Sequence, residues 1–177
     1  MQERARTGFT LIDLLIVVGS IGTIAAIAVP GLMRARISGN EASAIGSLRS
    51  INSAEASYAS SCGQGNYAGT LADLGKPPQA GSEGFISADL MTDPSQKSGY
   101  TITMTAGAAA VGGTGCNSPA SLSQTYYAGA DPQVASSTGF RCFGTNQGGT
   151  IYQSTAMPPV SLAVTQIGTP PAAAPVQ

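Results

Sequence analysis

Between Leu14 and Met33 the chain carries twenty consecutive residues without a charge. The pattern then changes. Ile45, Leu48, Ile51, Ala54 and Tyr58 recur at steps of three or four, the spacing of one helical face. Arg34, Arg36, Glu41, Arg49 and Glu55 supply polar positions around it. No proline interrupts between Pro30 and Pro77, so the two patterns together predict one helix from about Thr10 to Ala59. At roughly 1.5 Å per residue, the uncharged run alone spans about 30 Å, the thickness of a bilayer's hydrocarbon core, and the whole helix about 75 Å. A core helix under a sheet explains residues 45–58, but twenty uncharged residues beside Arg34 and Arg36 favour a membrane span.

Beyond Ala59 the periodicity shortens. "SSCGQGNYAGTLADLGKPPQAGSEG" is rich in turn residues, with Leu71 and Leu74 placed for a short helical turn. "FISADLMTDPSQKSG" reads as another short segment, "YTITMT" from Tyr100 alternates as a strand, and "SQTYYAGADP" is a second strand. "GFRCFGT", "NQGG" and "TIYQS" form a β-hairpin pattern around Gly148 and Gly149. The expected fold class is α+β. A long N-terminal helix, part transmembrane and part amphipathic, packs under a small antiparallel sheet of three or four strands. The stretch from about Met157, ending "GTPPAAAPVQ", is proline- and alanine-rich and reads as a loosely packed tail.

Composition narrows the chemistry. Of 177 residues 10% are charged, the net charge is −1, and there is no histidine. That removes the commonest general base and metal ligand. Scattered Lys and Arg give no basic patch, so no direct contact with nucleic acid is expected. Asp73, Glu83, Asp89, Asp93 and Asp131 are dispersed without calcium-loop spacing, there is no nucleophile motif, and "GGTG" near Gly112 lacks the lysine of a phosphate-binding loop. No enzymatic activity, metal or cofactor is expected. Cys62 and Cys116 lie in Gly/Ser-rich loops, where a disulfide would restrain loose chain, and export makes such a bond permissible. Cys142 lies two positions from Phe140 on an expected strand and reads as a free, buried small hydrophobe.

Asp13 is the anomaly, a carboxylate near the start of the apolar run. On insertion scales an acid at the centre of a membrane helix costs about 2.5–3.5 kcal/mol, and less toward the ends. Such a residue needs a partner. An ordinary signal peptide, cut near "AIAVPG", would leave a soluble exported domain and has no use for the acid. Cleavage between Gly8 and Phe9 removes the leader "MQERARTG", keeps the helix, and creates an α-amino group on Phe9 that can neutralise Asp13 in the same chain or a neighbouring one.

The segment "GFTLIDLLIVVGSIGTIAAIAVPGLMRAR" resembles the class III signal and N-terminal helix of type IV pilins and type II secretion pseudopilins. The likeness covers residues 6–58. It implies cleavage after Gly8 by a prepilin peptidase, which also methylates Phe9, with Arg4 and Arg6 matching the family's basic leader. The fifth residue after the cut is normally Glu, thought to contact the Phe amine of a neighbouring subunit; here it is Asp13, shorter by about 1.3–1.5 Å of carbon chain. Pro30 matches the family's helix-bending proline. Gly19, Gly22 and Ala26 permit close helix packing, with Gly22 and Ala26 in a small-xxx-small spacing.

The expected organisation is a leader over 1–8, a transmembrane and filament-core helix over 9–36, its amphipathic continuation over 37–60, a head over 61–156, and a tail over 157–177. The resemblance implies a structural subunit of a type IV pilus-like filament. Its partners would be identical and related pilin subunits, the prepilin peptidase, an inner-membrane assembly platform with a cytoplasmic ATPase, and the lipid bilayer before assembly. The location would be the inner membrane first, then an extracellular pilus or periplasmic pseudopilus. A type II secretion pseudopilin is the close rival; a membrane-anchored binding domain that never polymerises is the distant one.

Overall fold

A computed structural model of the chain describes residues 9–110, 113–117, 122–155 and 174–176. The leader, with Gly8, lies outside them, as does most of the tail. The chain is α+β and divides at Arg36 into two units, residues 1–36 and 37–177. Helix α1 (Leu11–Ser61) supplies residues to both.

In the first unit α1 is helical throughout and runs unbroken past Pro30. Proline has no N–H, so the Ala26 carbonyl lacks its usual donor four residues on. Ser20 Oγ donates to the Val17 carbonyl and Thr23 Oγ1 to the Ser20 carbonyl, each at 2.9 Å. The two hydroxyls in the apolar run are thus satisfied within their own helix.

In the second unit α1 forms the base of the core. Ile37, Glu41, Ala44, Leu48, Ile51, Glu55, Tyr58 and Cys62 are buried at alternating steps of four and three, one continuous stripe. The expected face is present, but Glu41 and Glu55, expected among the polar surround, lie on the stripe itself. Past Cys62 come β1 (Tyr67–Ala68), the short helix α2 (Leu71–Gly75) and a 3-10 turn at Ala88–Leu90. Leu71 and Leu74 fall in α2 as their spacing suggests, and both are buried.

The main sheet has six antiparallel strands in the order β2 (Ser95–Lys97), β3 (Tyr100–Ala106), β5 (Tyr126–Pro132), β6 (Cys142–Asn146), β7 (Ile151–Ser154) and β8 (Ala174–Pro175). β4 (Leu122–Ser123) pairs separately with β1. The four inner strands are those the alternation indicates. β2 and β8 carry two or three polar, small or proline residues each, too little pattern to read. Tyr100, Ile102 and Met104 of β3 alternate into the core. They join Ala128 and Ala130 of β5, Phe143 of β6 and Ile151 of β7. The β6–β7 hairpin turns where Gly148 and Gly149 place it, with Gly149 at φ +71° and its N–H on the Asn146 carbonyl at 2.9 Å.

Cys62 and Cys116 are disulfide-bonded, with Cα atoms 4.8 Å apart. Cys142 is free and buried, on the first residue of β6. Phe140 is not its strand partner. It precedes β6 and is 52% exposed, because the loop from β5 is held there by contacts to α1. Part of the tail is not loose: β8 pairs with β7 through Tyr152–Pro175 and Gln153–Ala174.

Candidate functional site

Phe9 and Thr10 lead into α1, and Asp13 lies in its first turn. Phe9 is 77% exposed. Thr10 precedes the first helical residue, and its Oγ1 accepts the Asp13 N–H at 3.3 Å. Asp13 Oδ2 accepts in return from the Thr10 N–H, at 3.3 Å, and from the Thr10 hydroxyl. This is a reciprocal capping box, which satisfies amide donors the first turn of a helix leaves without partners. A carboxylate there also faces the positive end of the helix dipole. The hydroxyl half of this arrangement recurs at α2, where "TLADL" repeats the pattern of "TLIDL". Thr70 Oγ1 accepts the Asp73 N–H at 3.1 Å, and its hydroxyl donates to Asp73 Oδ2 at 2.9 Å. The Thr-x-x-Asp spacing is legible in the sequence as a capping signature. Asp13 therefore has a local partner within its own chain, in addition to whatever a Phe9 amine would offer.

The flank of this site is apolar on all sides. Every large hydrophobic side chain from Phe9 to Met33 is substantially exposed, from 49% at Val17 to 82% at Ile27. The helix is long and apolar enough to span a membrane. At Gly19, Gly22 and Gly31 a Cβ would meet nothing within 4 Å, so no contact among the described residues requires glycine at these positions. Among the described residues, no group of three or more acidic or cysteine side chains is placed to hold a metal ion.

Two buried acids on α1 connect it to the sheet's surroundings. Glu41 Oε2 accepts from Arg141 Nε at 2.9 Å and Nη2 at 2.5 Å, and its Oε1 accepts the Phe140 N–H at 3.0 Å. One helix residue earlier, Asn40 donates to the Thr138 carbonyl at 3.0 Å. Together they pin the β5–β6 loop. Glu55 is fully buried; one oxygen accepts the Ala68 N–H at 2.9 Å, and Oε1 has no partner among the described residues. Burial pushes this carboxyl up to about 8, against only a partial lowering by the Ala68 hydrogen bond. Between them, Asn52 accepts from Tyr126 at 2.9 Å and donates to Thr145 at 2.9 Å and to the Gly149 carbonyl at 3.1 Å. Sequence reading missed the roles of Glu41, Glu55 and Thr10. The signal for the two acids was their register, since both fall on the apolar stripe.

Comparison of the chain with known protein families, curated proteins and solved structures finds no match.

Proposed function

We propose that this chain is a structural subunit of a type IV pilus-like filament, cleaved after Gly8, N-methylated on Phe9, held in the inner membrane by α1, and then polymerised through packing of that helix. The observation that carries this reading is the exposed apolar surface from Phe9 to Met33. At roughly 25 cal/mol per Å2, leaving that surface in water is strongly unfavourable, so lipid or other copies of the helix must cover it. A simple anchor would account for the apolar surface and, through the Thr10 cap, for Asp13, but not for glycines that no contact among the described residues requires.

In the filament the Phe9 amine of one subunit approaches Asp13 of its neighbour. An ammonium–carboxylate pair in a water-poor core offsets part of the cost of burying either charge alone. Gly19, Gly22 and Ala26 let neighbouring helices approach closely. The energy for extraction comes from a cytoplasmic ATPase acting through an assembly platform, since this chain carries no nucleotide-binding motif.

The test is mass spectrometry of the N-terminal peptide from sheared cell-surface material and from washed membranes. An N-methylated Phe9 peptide abundant in the sheared fraction is the expected result. The same peptide confined to the envelope would favour a secretion pseudopilus instead. A first residue lying beyond the "AIAVPG" region would mean ordinary export and would overturn the proposal.

A further inference from the structure

β8 is separated from its sheet neighbour β7 by an unusually long stretch of sequence. Antiparallel neighbours need a connection of only about two to five residues. Between Ser154, the last residue of β7, and Ala174, the first of β8, lie nineteen residues, 155–173. Fully extended, that length covers about 65 Å at 3.3–3.6 Å per residue. A globule of the second unit's size has a radius of gyration near 14 Å, hence a diameter under about 40 Å. The connection is therefore long enough to reach past the sheet it belongs to.

The bond it makes is slight and one-sided. Ala174 and Pro175 are exposed, and Val176 is half-buried against the core with its N–H on the Ile151 carbonyl at 2.8 Å. With Val176 hydrogen-bonded opposite Ile151, the Tyr152–Pro175 pair is a non-hydrogen-bonded one. Pro175 thus faces its missing N–H away from β7, where no donor is needed on the inner side and none is offered on the outer. β8 is built to pair once, with β7, and then to close the edge.

We propose that Ala174–Val176 is an exchangeable strand that pairs with the β7 edge of a second copy of this chain, so that strand addition links neighbouring heads. This rests on the polymer reading above. The exchanged strand makes the contacts seen within one chain, so the new link adds no strain; exchange of an identical element is a low-cost route to association. The edge of β7 is otherwise a row of unpaired backbone groups, which a sheet must cover. Passed on from copy to copy rather than returned by the same partner, a contact of this kind is head-to-tail and can run along a filament.

Two differently tagged full-length copies, one with Tyr152→Cys and the other with Pro175→Cys, both also Cys142→Ser, would be co-expressed and oxidised. Sheared and membrane fractions are then run on non-reducing gels. A disulfide-linked dimer carrying both tags, absent when either cysteine is omitted, is the expected result. Filaments that pellet normally but contain no mixed dimer overturn the exchange alone, the more directly if Tyr152→Cys and Pro175→Cys in one chain close an internal disulfide. Absence of both filaments and mixed dimer overturns the exchange together with the polymer reading.

Discussion

Asp13 and Thr10 hold each other across the first turn of α1, amide to hydroxyl at 3.3 Å in one direction and amide to carboxylate at 3.3 Å in the other. The acid at the head of the apolar helix thus has a structural task before any neighbour arrives. Losing such a cap costs typically about 1 kcal/mol, whereas losing the partner of a neighbour's buried ammonium costs several. The two tasks can be separated. Thr10→Val removes the cap's hydroxyl and leaves the carboxylate; Asp13→Ala removes the carboxylate and leaves the hydroxyl on the residue-13 amide. Filament yield from sheared cells is expected to fall at least tenfold in Asp13→Ala, to stay within a few-fold of wild type in Thr10→Val, and to be retained in Asp13→Glu. Equal losses from the first two would reduce Asp13 to a helix cap.

At Gly22 a Cβ would meet nothing within 4 Å among the described residues. Gly22→Leu is therefore expected to leave the thermal unfolding of the head unchanged in detergent. Its filament yield should drop severalfold, because the added side chain keeps neighbouring helices apart. A variant that assembles normally would place Gly22 outside the helix contacts.

Glu55 makes stability depend on pH. Its folded-state pKa, pushed up to about 8, lies above the ordinary 4.5, so the folded chain binds the extra proton between those values. Unfolding free energy then decreases as pH rises through this window, at a slope of up to about 1.4 kcal/mol per unit, and levels off above it. Glu55→Gln keeps an acceptor for the Ala68 N–H and removes the charge. Its melting temperature should be flatter than wild type between pH 5 and 8, and higher near neutrality. Parallel curves for the two proteins would show that the folded-state pKa is not raised, the carboxyl being ionised in both states across that range.

Arg141 neutralises a carboxylate that is only 5% exposed. The guanidinium itself is partly open to water, which discounts the loss from removing it to about 1–3 kcal/mol. Arg141→Ala should lower the melting temperature by several degrees. Arg141→Lys should recover only part of it, since an ammonium cannot reproduce the two-nitrogen contact. Hydrogen exchange at the Phe140 amide, which Glu41 holds, reports the same break locally.

Removing the Cys62–Cys116 bond in a double serine variant frees a loop spanning 54 positions. Loop-closure entropy and measured cases place the destabilisation at about 2–4 kcal/mol. A urea midpoint that does not move would mean that the unfolded chain gains little freedom from the open loop.

Much of this fold is legible in the sequence because periodicity is strong where burial is strong. The stripe from Ile45 to Tyr58, the alternation from Tyr100, and the turn at Gly148 and Gly149 each reflect one dominant constraint. The flanking strands are not legible, because Ser95–Lys97 and Ala174–Pro175 contribute backbone rather than side chains to the sheet. Glu41 and Glu55 misled for the opposite reason: polarity suggested solvent, while spacing put them on the core face. At the candidate site Asp13 stood out as a charge in an apolar run. Thr10 did not, although the Thr-x-x-Asp spacing that marks it is printed again at Thr70.

The disulfide ties the residue just past α1 to a point 54 positions further along the chain, and that ring encloses β1, α2, β2 and β3. If force enters a subunit along the helix and leaves through the far strands, the ring cannot lengthen. A subunit torn open with the bond intact would release roughly 180–190 Å less chain, at 3.3–3.6 Å for each shielded position. The cysteine pair then acts as a mechanical stop, keeping a strained head short while the rest of it gives way.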